Sequence, residues 1–122
     1  MKKILKDLDD ALKFLIITNM NNLNYIKSVN EESFTTEQHH SVGMNLRNDW
    51  GLWTNESELS IWFHNKGIYH ADDMSSIILT SFHRTVNNKD IDLDNQIKYY
   101  IDYWEKNDPK VNTGFYNLNK DE

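Results

Sequence analysis

Apolar residues recur along this chain at steps of three and four, and nowhere do they alternate with polar ones between hairpin turns. That periodicity confines the chain to helices. Leu8, Leu12, Leu15 and Ile16 form one such stripe, with Asp7 placed to cap it. Leu23 and Ile26 continue as a short second helix beyond an asparagine-rich break at Asn19 to Asn22. Leu59, Trp62 and Phe63 mark another helix, opened by Asn55 with Glu58 three residues on and closed by Gly67. Met74, Ile77, Ile78, Ser81 and Phe82 line a long helix after His70, whose first turn carries Asp72 and Asp73 where the helix dipole favours acids. Asn87-Asn88-Lys89-Asp90 is turn chemistry. Leu93, Ile97, Tyr100 and Trp104 then mark the inner face of a last helix from Asp92 to Asn107, stopped by Asp108-Pro109. The expectation is an all-α, single compact domain of five or six short helices over residues 1–109. Residues 110–122 form a C-terminal tail that either docks through Phe115, Tyr116 and Leu118 or frays.

The densest stretch runs from Gln38 to Trp53 and holds two adjacent histidines, Arg47, Trp50 and Trp53. Thr35-Thr36-Glu37-Gln38 reads as a capping box, predicting a central helix from Thr36 to Trp50. On that helix His40, Gly43, Met44, Arg47 and Trp50 share one face, while His39, Val42, Leu46 and Trp53 follow a second stripe. Gly43 costs about 1 kcal/mol in a helix interior relative to alanine, so another backbone or a ring is expected to approach closely there. Gly51 supplies the stop. This helix and the one from His70 to Val86 are expected to pack against each other.

Composition removes several classes of function. At 122 residues the chain suits one domain, and 39% hydrophobic with 12% aromatic content is too apolar and ring-rich for disorder. The net charge of -6, with arginine only at positions 47 and 84, leaves no basic stripe for a phosphate backbone, so no nucleic acid partner is expected. The absence of cysteine excludes disulfides, thiolate zinc sites and cysteine nucleophiles. Met1-Lys2-Lys3-Ile4-Leu5 imitates a secretory leader only briefly before Asp7, Asp9 and Asp10 interrupt it. Phe14-Leu15-Ile16-Ile17 is too short for a membrane span. The chain therefore reads as soluble, cytoplasmic and free of membrane contact.

Three blocks carry a resemblance. The first is His39-His40-x-x-Gly43-Met44-x-Leu46-Arg47-Asn48-x-Trp50-x-Leu52-Trp53. The second runs from Phe63 through Gly67-Ile68-x-His70-x-Asp72-Asp73-Met74-Ser75 to His83-Arg84, and the third is Gln96-Ile97-x-x-Tyr100-x-x-Tyr103-Trp104. Together they resemble a small bacterial all-helical domain family of unknown function, over about residues 5 to 105. That resemblance implies no reaction and no catalytic residue. In size, acidity and aromatic content the chain also resembles, in a general way, the immunity proteins that neutralise toxins in bacterial competition.

His39, His40, His70, Asp72, Asp73 and His83 are metal-capable types, but no compact ligand motif exists among them. Asp73 and His83 stand about 15 Å apart along one helix, so a site built on His40, His70, Asp73 and His83 needs assembly from several elements. Ser75, Ser76 and Ser81 lack the strained elbow and oxyanion donors of acyl transfer, and the glycines are too scattered to cradle phosphate. A chain that otherwise uses lysine is expected to need guanidinium geometry at Arg47 and Arg84, paired with Asp72 or Asp73 across helices. Trp50 and Trp104 read as core, Trp53 and Trp62 as a contact patch. The expected function is cytosolic protein binding without a cofactor, most concretely an immunity-type inhibitor that occludes a cognate toxin through Trp53, Trp62, Asp72, Asp73, His83 and Arg84. A small metal-binding or catalytic domain is the alternative, with His39, His40, Arg47, Trp50 and His70 as the structural or ligand cluster.

Overall fold

The computed structural model describes residues 4–107. The expected stop at Asp108-Pro109 and the tail at 110–122 lie outside the described residues. Within them the chain is helical, with no strand. The helices are α1 (Leu8–Thr18), α2 (Leu23–Ser28), α3 (Glu31–His39), α4 (Val42–Asp49), α5 (Glu58–Asn65), α6 (Ala71–Val86) and α7 (Leu93–Asn107). A 3-10 turn, Met20–Asn22, joins α1 to α2.

These are seven helices where the sequence suggested five or six, because the expected central helix is two. Its capping box is not a start. Asn30 caps α3 instead, its side-chain oxygen accepting from the Ser33 N–H at 2.8 Å. Thr35 sits inside the helix, where its hydroxyl donates back to the Glu31 carbonyl at 3.0 Å. The chain then breaks at His40-Ser41, Ser41 taking φ -110 and ψ -84, and resumes as α4. Elsewhere the caps fall close to expectation. Asp7 accepts from the Asp10 N–H at 2.9 Å, while α5 is capped by Ser57 rather than Asn55, the Ser57 hydroxyl accepting from the Ser60 N–H at 3.1 Å.

Two glycines stop helices as the sequence implied. Gly51 (φ 65) and Gly67 (φ 91) take the left-handed region, letting Leu52 N–H reach the Arg47 carbonyl and Ile68 N–H reach the Phe63 carbonyl, each at 3.0 Å. At Gly43 a β-carbon would lie 3.1 Å from Arg47 Nη1 and 3.2 Å from the Gln38 carbonyl oxygen. The close approach is thus a guanidinium and a backbone carbonyl.

The organising element is α6. It packs against α1, α2, α3, α4 and α7, and buries Met74, Ile77, Ile78, Leu79 and Phe82 on its inner side. Leu8, Ala11, Leu12 and Leu15 of α1, Ile26 of α2, Phe34 of α3 and Leu46 of α4 close on them to form the core. Leu59 and Phe63 of α5 belong to the same core. By contrast α7 buries no residue fully; Leu93, Ile97 and Tyr100 only rest against the core. Among the described residues no helix is long and apolar enough to cross a membrane.

Candidate functional site

Arg47 is the buried centre of a polar group that joins several helices, with only 2% of its surface exposed. The break at His40-Ser41 makes this possible, since it frees the carbonyl of His39 at the end of α3. Arg47 Nη2 donates to that carbonyl at 3.2 Å, a cation satisfying a helix C-terminus. Arg47 Nη1 donates to Ser75 Oγ at 2.8 Å, and Ser75 Oγ donates in turn to the Asp72 carbonyl at 3.0 Å. Arg47 Nε lies 3.3 Å from Asp72 Oδ1, an ion pair whose angle is too poor for a hydrogen bond. One guanidinium therefore ties α3, α4 and the first turn of α6 together. The expected pairing of Arg47 with Asp72 is present, though through one nitrogen rather than as a fork.

Trp53 lies over the same guanidinium, 5.8 Å from its central carbon to the ring centroid. The indole N–H donates to Asn48 Oδ1 at 2.7 Å. It is nonetheless 59% exposed, and the Asp72 side chain beside Arg47 is 61% exposed. Met44, one turn before Asn48 on α4, is 44% exposed. A large ring is thus held by two side chains and left exposed, over the same guanidinium that pairs with Asp72.

On the other side of α6, Asp73 turns towards α7. Trp104 Nε1 donates to Asp73 Oδ2 at 2.8 Å, and the Trp104 ring stacks on His70 with centroids 4.0 Å apart. Burial holds the Asp73 carboxyl above its ordinary value, against the opposing pull of the Trp104 N–H and the His70 imidazole. Burial likewise raises the Tyr100 hydroxyl, whose partner is Ser76. The two neighbouring aspartates therefore do different things, Asp72 facing an arginine and water, Asp73 facing aromatic rings.

The remaining residues scatter. His83 is buried at 4% exposure, not on a surface stripe: its Nε2 stands 2.6 Å from the Val29 carbonyl and its ring lies against Phe34. It is unavailable to a partner in this conformation. Arg84 pairs with neither Asp72 nor Asp73. It grips Glu31 as a fork, Nε to Oε1 at 2.7 Å and Nη2 to Oε2 at 3.1 Å, and donates Nη1 to the Ile91 carbonyl at 2.6 Å. That pair holds the Glu31 carboxyl below its ordinary value. Trp62 is half-buried on α5, edge-on to Phe63 with Lys66 Nζ 4.9 Å from its ring centroid. Trp50 packs half-buried against Phe14, and His39 meets His40 edge to face at 4.8 Å. The set His40, His70, Asp73 and His83 does not converge, and among the described residues no three His, Asp or Glu side chains are grouped to hold a metal ion. The sequence reading gave no role to Glu31, quoted Asn48 without one, placed Tyr100 only on the inner face of the last helix, and gave Ser75 no partner; only the Asn30-Glu31 helix start could have drawn attention to the first.

Residues 5–86 match the model of a family described as Domain of unknown function (DUF6794). The chain belongs to that family. No curated protein and no solved structure matches it. The matched span of the DUF6794 domain holds Arg47, Asn48, Trp53, Asp72 and Ser75, and so contains the whole Arg47 group. It ends with α6 at Val86, so the third sequence block, including Tyr100 and Trp104 of α7, falls outside it.

Proposed function

We propose that this DUF6794 chain is a protein-binding domain whose contact surface is centred on Trp53 and Asp72. The observation that carries the reading is an indole that is 59% exposed yet fixed by Asn48 and Arg47. Single exposed apolar side chains are ordinary on a protein surface; what suits this one to binding is that an anchor already held in place loses little side-chain entropy when a partner covers it. Asp72 adds a carboxylate whose arginine partner leaves it largely in solvent, and the net charge of -6 favours approach to a basic partner. The concrete form of this reading is an immunity-type inhibitor, acting in the cytoplasm, that occludes a basic toxin by covering its working surface. Such a mechanism is steric and electrostatic and uses no chemistry of its own. Asp73, Trp62 and Arg84 then serve the fold, since each is engaged by neighbours within the chain.

The test is capture with tagged full-length chain from cells of its source, comparing wild type with a Trp53→Ala/Asp72→Asn double variant of unchanged helical signal. One stoichiometric partner retained by wild type and lost by the variant supports the reading. Suppression of that partner's toxicity on co-expression supports the inhibitor form. Equal capture by both proteins, or no partner at all, removes Trp53 and Asp72 as the contact.

A further inference from the structure

The first turn of α6 is held on three sides. Ala71 and Met74 face the core, and Met74 is wholly buried there. Asp72 and Ser75 face α4, whose Arg47 pairs with the Asp72 carboxylate and donates to Ser75 Oγ. His70 and Asp73 face α7, and one side chain meets both of them. The Trp104 ring stacks on the His70 imidazole at 4.0 Å while its Nε1 donates to Asp73 Oδ2 at 2.8 Å. Helical spacing sets this division, because residues three apart share a stripe whereas immediate neighbours do not. The helix start carries no side-chain cap, which leaves the turn more dependent on such contacts from outside.

Asp72 stands between the two residues that Trp104 grips. Its own side chain is 61% exposed, so its place is set mainly by the backbone beneath it. The Asp72 carbonyl also accepts from the Ser75 hydroxyl, which is itself the acceptor for Arg47 Nη1. A displacement of this turn therefore reaches the guanidinium that lies against Trp53. We infer that Trp104 is a positioning residue for the contact surface: from α7, outside the matched span of residues 5–86, it braces the turn that presents Asp72 and seats Arg47. This role rests on the binding reading above and adds to it a residue on a different helix from the contact itself.

The experiment is amide exchange by NMR on the full chain, comparing wild type, Trp104→Phe and Asp73→Asn under one set of conditions. Trp104→Phe keeps a ring against His70 and removes the donor to Asp73, whereas Asp73→Asn keeps an oxygen that can accept from Trp104. The Met74 N–H, bonded to the His70 carbonyl at 3.0 Å, reports on the turn. In Trp104→Phe it is expected to exchange about five- to tenfold faster, beyond any change shared by Leu12 and Leu15 of α1, and the Arg47 Nε–H signal is expected to move. Asp73→Asn should stay close to wild type in both. An acceleration uniform across the helices, which lost stability alone produces, or an unmoved Met74 would overturn the assignment. Against a captured partner, Trp104→Phe is expected to bind about three- to tenfold more weakly. Trp53→Ala separates the two claims. Binding weakened by Trp53→Ala but untouched by Trp104→Phe overturns the positioning role alone, whereas binding untouched by Trp53→Ala removes the reading on which that role rests.

Discussion

Arg47 and Asp73 are the two charges whose surroundings decide most at the scale of single residues. Truncating Arg47 to methionine keeps the apolar stem but strands the His39 carbonyl and takes from the Ser75 hydroxyl one of its two partners, leaving it only the Asp72 carbonyl. The variant is expected to lose about 2–4 kcal/mol in urea unfolding, mostly from those lost contacts. Lysine will not rescue it, since one ammonium cannot span the His39 and Ser75 contacts. Asp73 works in the opposite sense to Glu31. Its folded carboxyl holds a proton more tightly than the unfolded one, so its contribution is complete below the ordinary value of 3.8 and is lost as pH rises through the raised folded value. Asp73→Asn keeps an acceptor for Trp104 and removes that loss. Its stability relative to wild type should therefore grow between about pH 4 and pH 7. Glu31→Gln should lose stability at neutral pH and converge on wild type in acid, because the Arg84-held carboxylate contributes above 4.5 and fades as pH falls. Thermal unfolding across pH distinguishes the two; parallel profiles for Asp73→Asn and wild type would contradict the burial of that carboxyl.

Helix boundaries carry the lesson at the scale of elements. Asp7 was legible as a cap because a regular apolar stripe starts at Leu8 just after it. Asn30 was not, because α3 buries only Phe34 and so shows no stripe from which a start could be read. A capping-box pattern at Thr35 filled the gap, and residues on both sides of His40-Ser41 keep helical spacing, which hid the break. Substitution separates the two readings. Asn30→Ala should cost about 1 kcal/mol by removing the bond to Ser33, whereas Thr35→Ala should be near neutral. Equal losses at both positions would return the helix start to Thr35. Gly67 tests how closely α7 rests on the rest of the chain. A β-carbon there would sit 3.0 Å from Ile101 Cδ1 on a backbone at φ 91, so Gly67→Ala combines left-handed strain with a tight contact from which the Ile101 side chain must shift by a few tenths of an ångström. A loss of at least about 1–2 kcal/mol is expected, read by denaturant unfolding, with α7 loosened first in hydrogen exchange. A neutral effect would mean that α7 does not pack as described.

At the scale of the whole molecule, the all-helical character followed from spacing alone, and so did the packing of the His39–Trp53 region on α6. Partner choice among polar side chains followed for Arg47 with Asp72 but not for the other pairs, which are distant in the chain. Glu31 and Arg84 are separated by 53 residues, Trp104 and Asp73 by 31. The same limit applied to surface and interior. His83 falls on the polar stripe of α6 by spacing, yet α3 covers that part of the stripe through Phe34 and buries it. Trp53 was placed outside by its position after Gly51, but nothing in the sequence showed that Asn48 and Arg47 would fix it. That fixation is the core of the functional account. Isothermal titration of a captured partner against wild type and the single Trp53→Ala variant, each with its melting temperature measured, tests it most directly. The expected result is an affinity loss of about 2 kcal/mol or more at a melting temperature changed by only a few degrees. An unchanged affinity, or a loss that tracks unfolding of the variant, would contradict it.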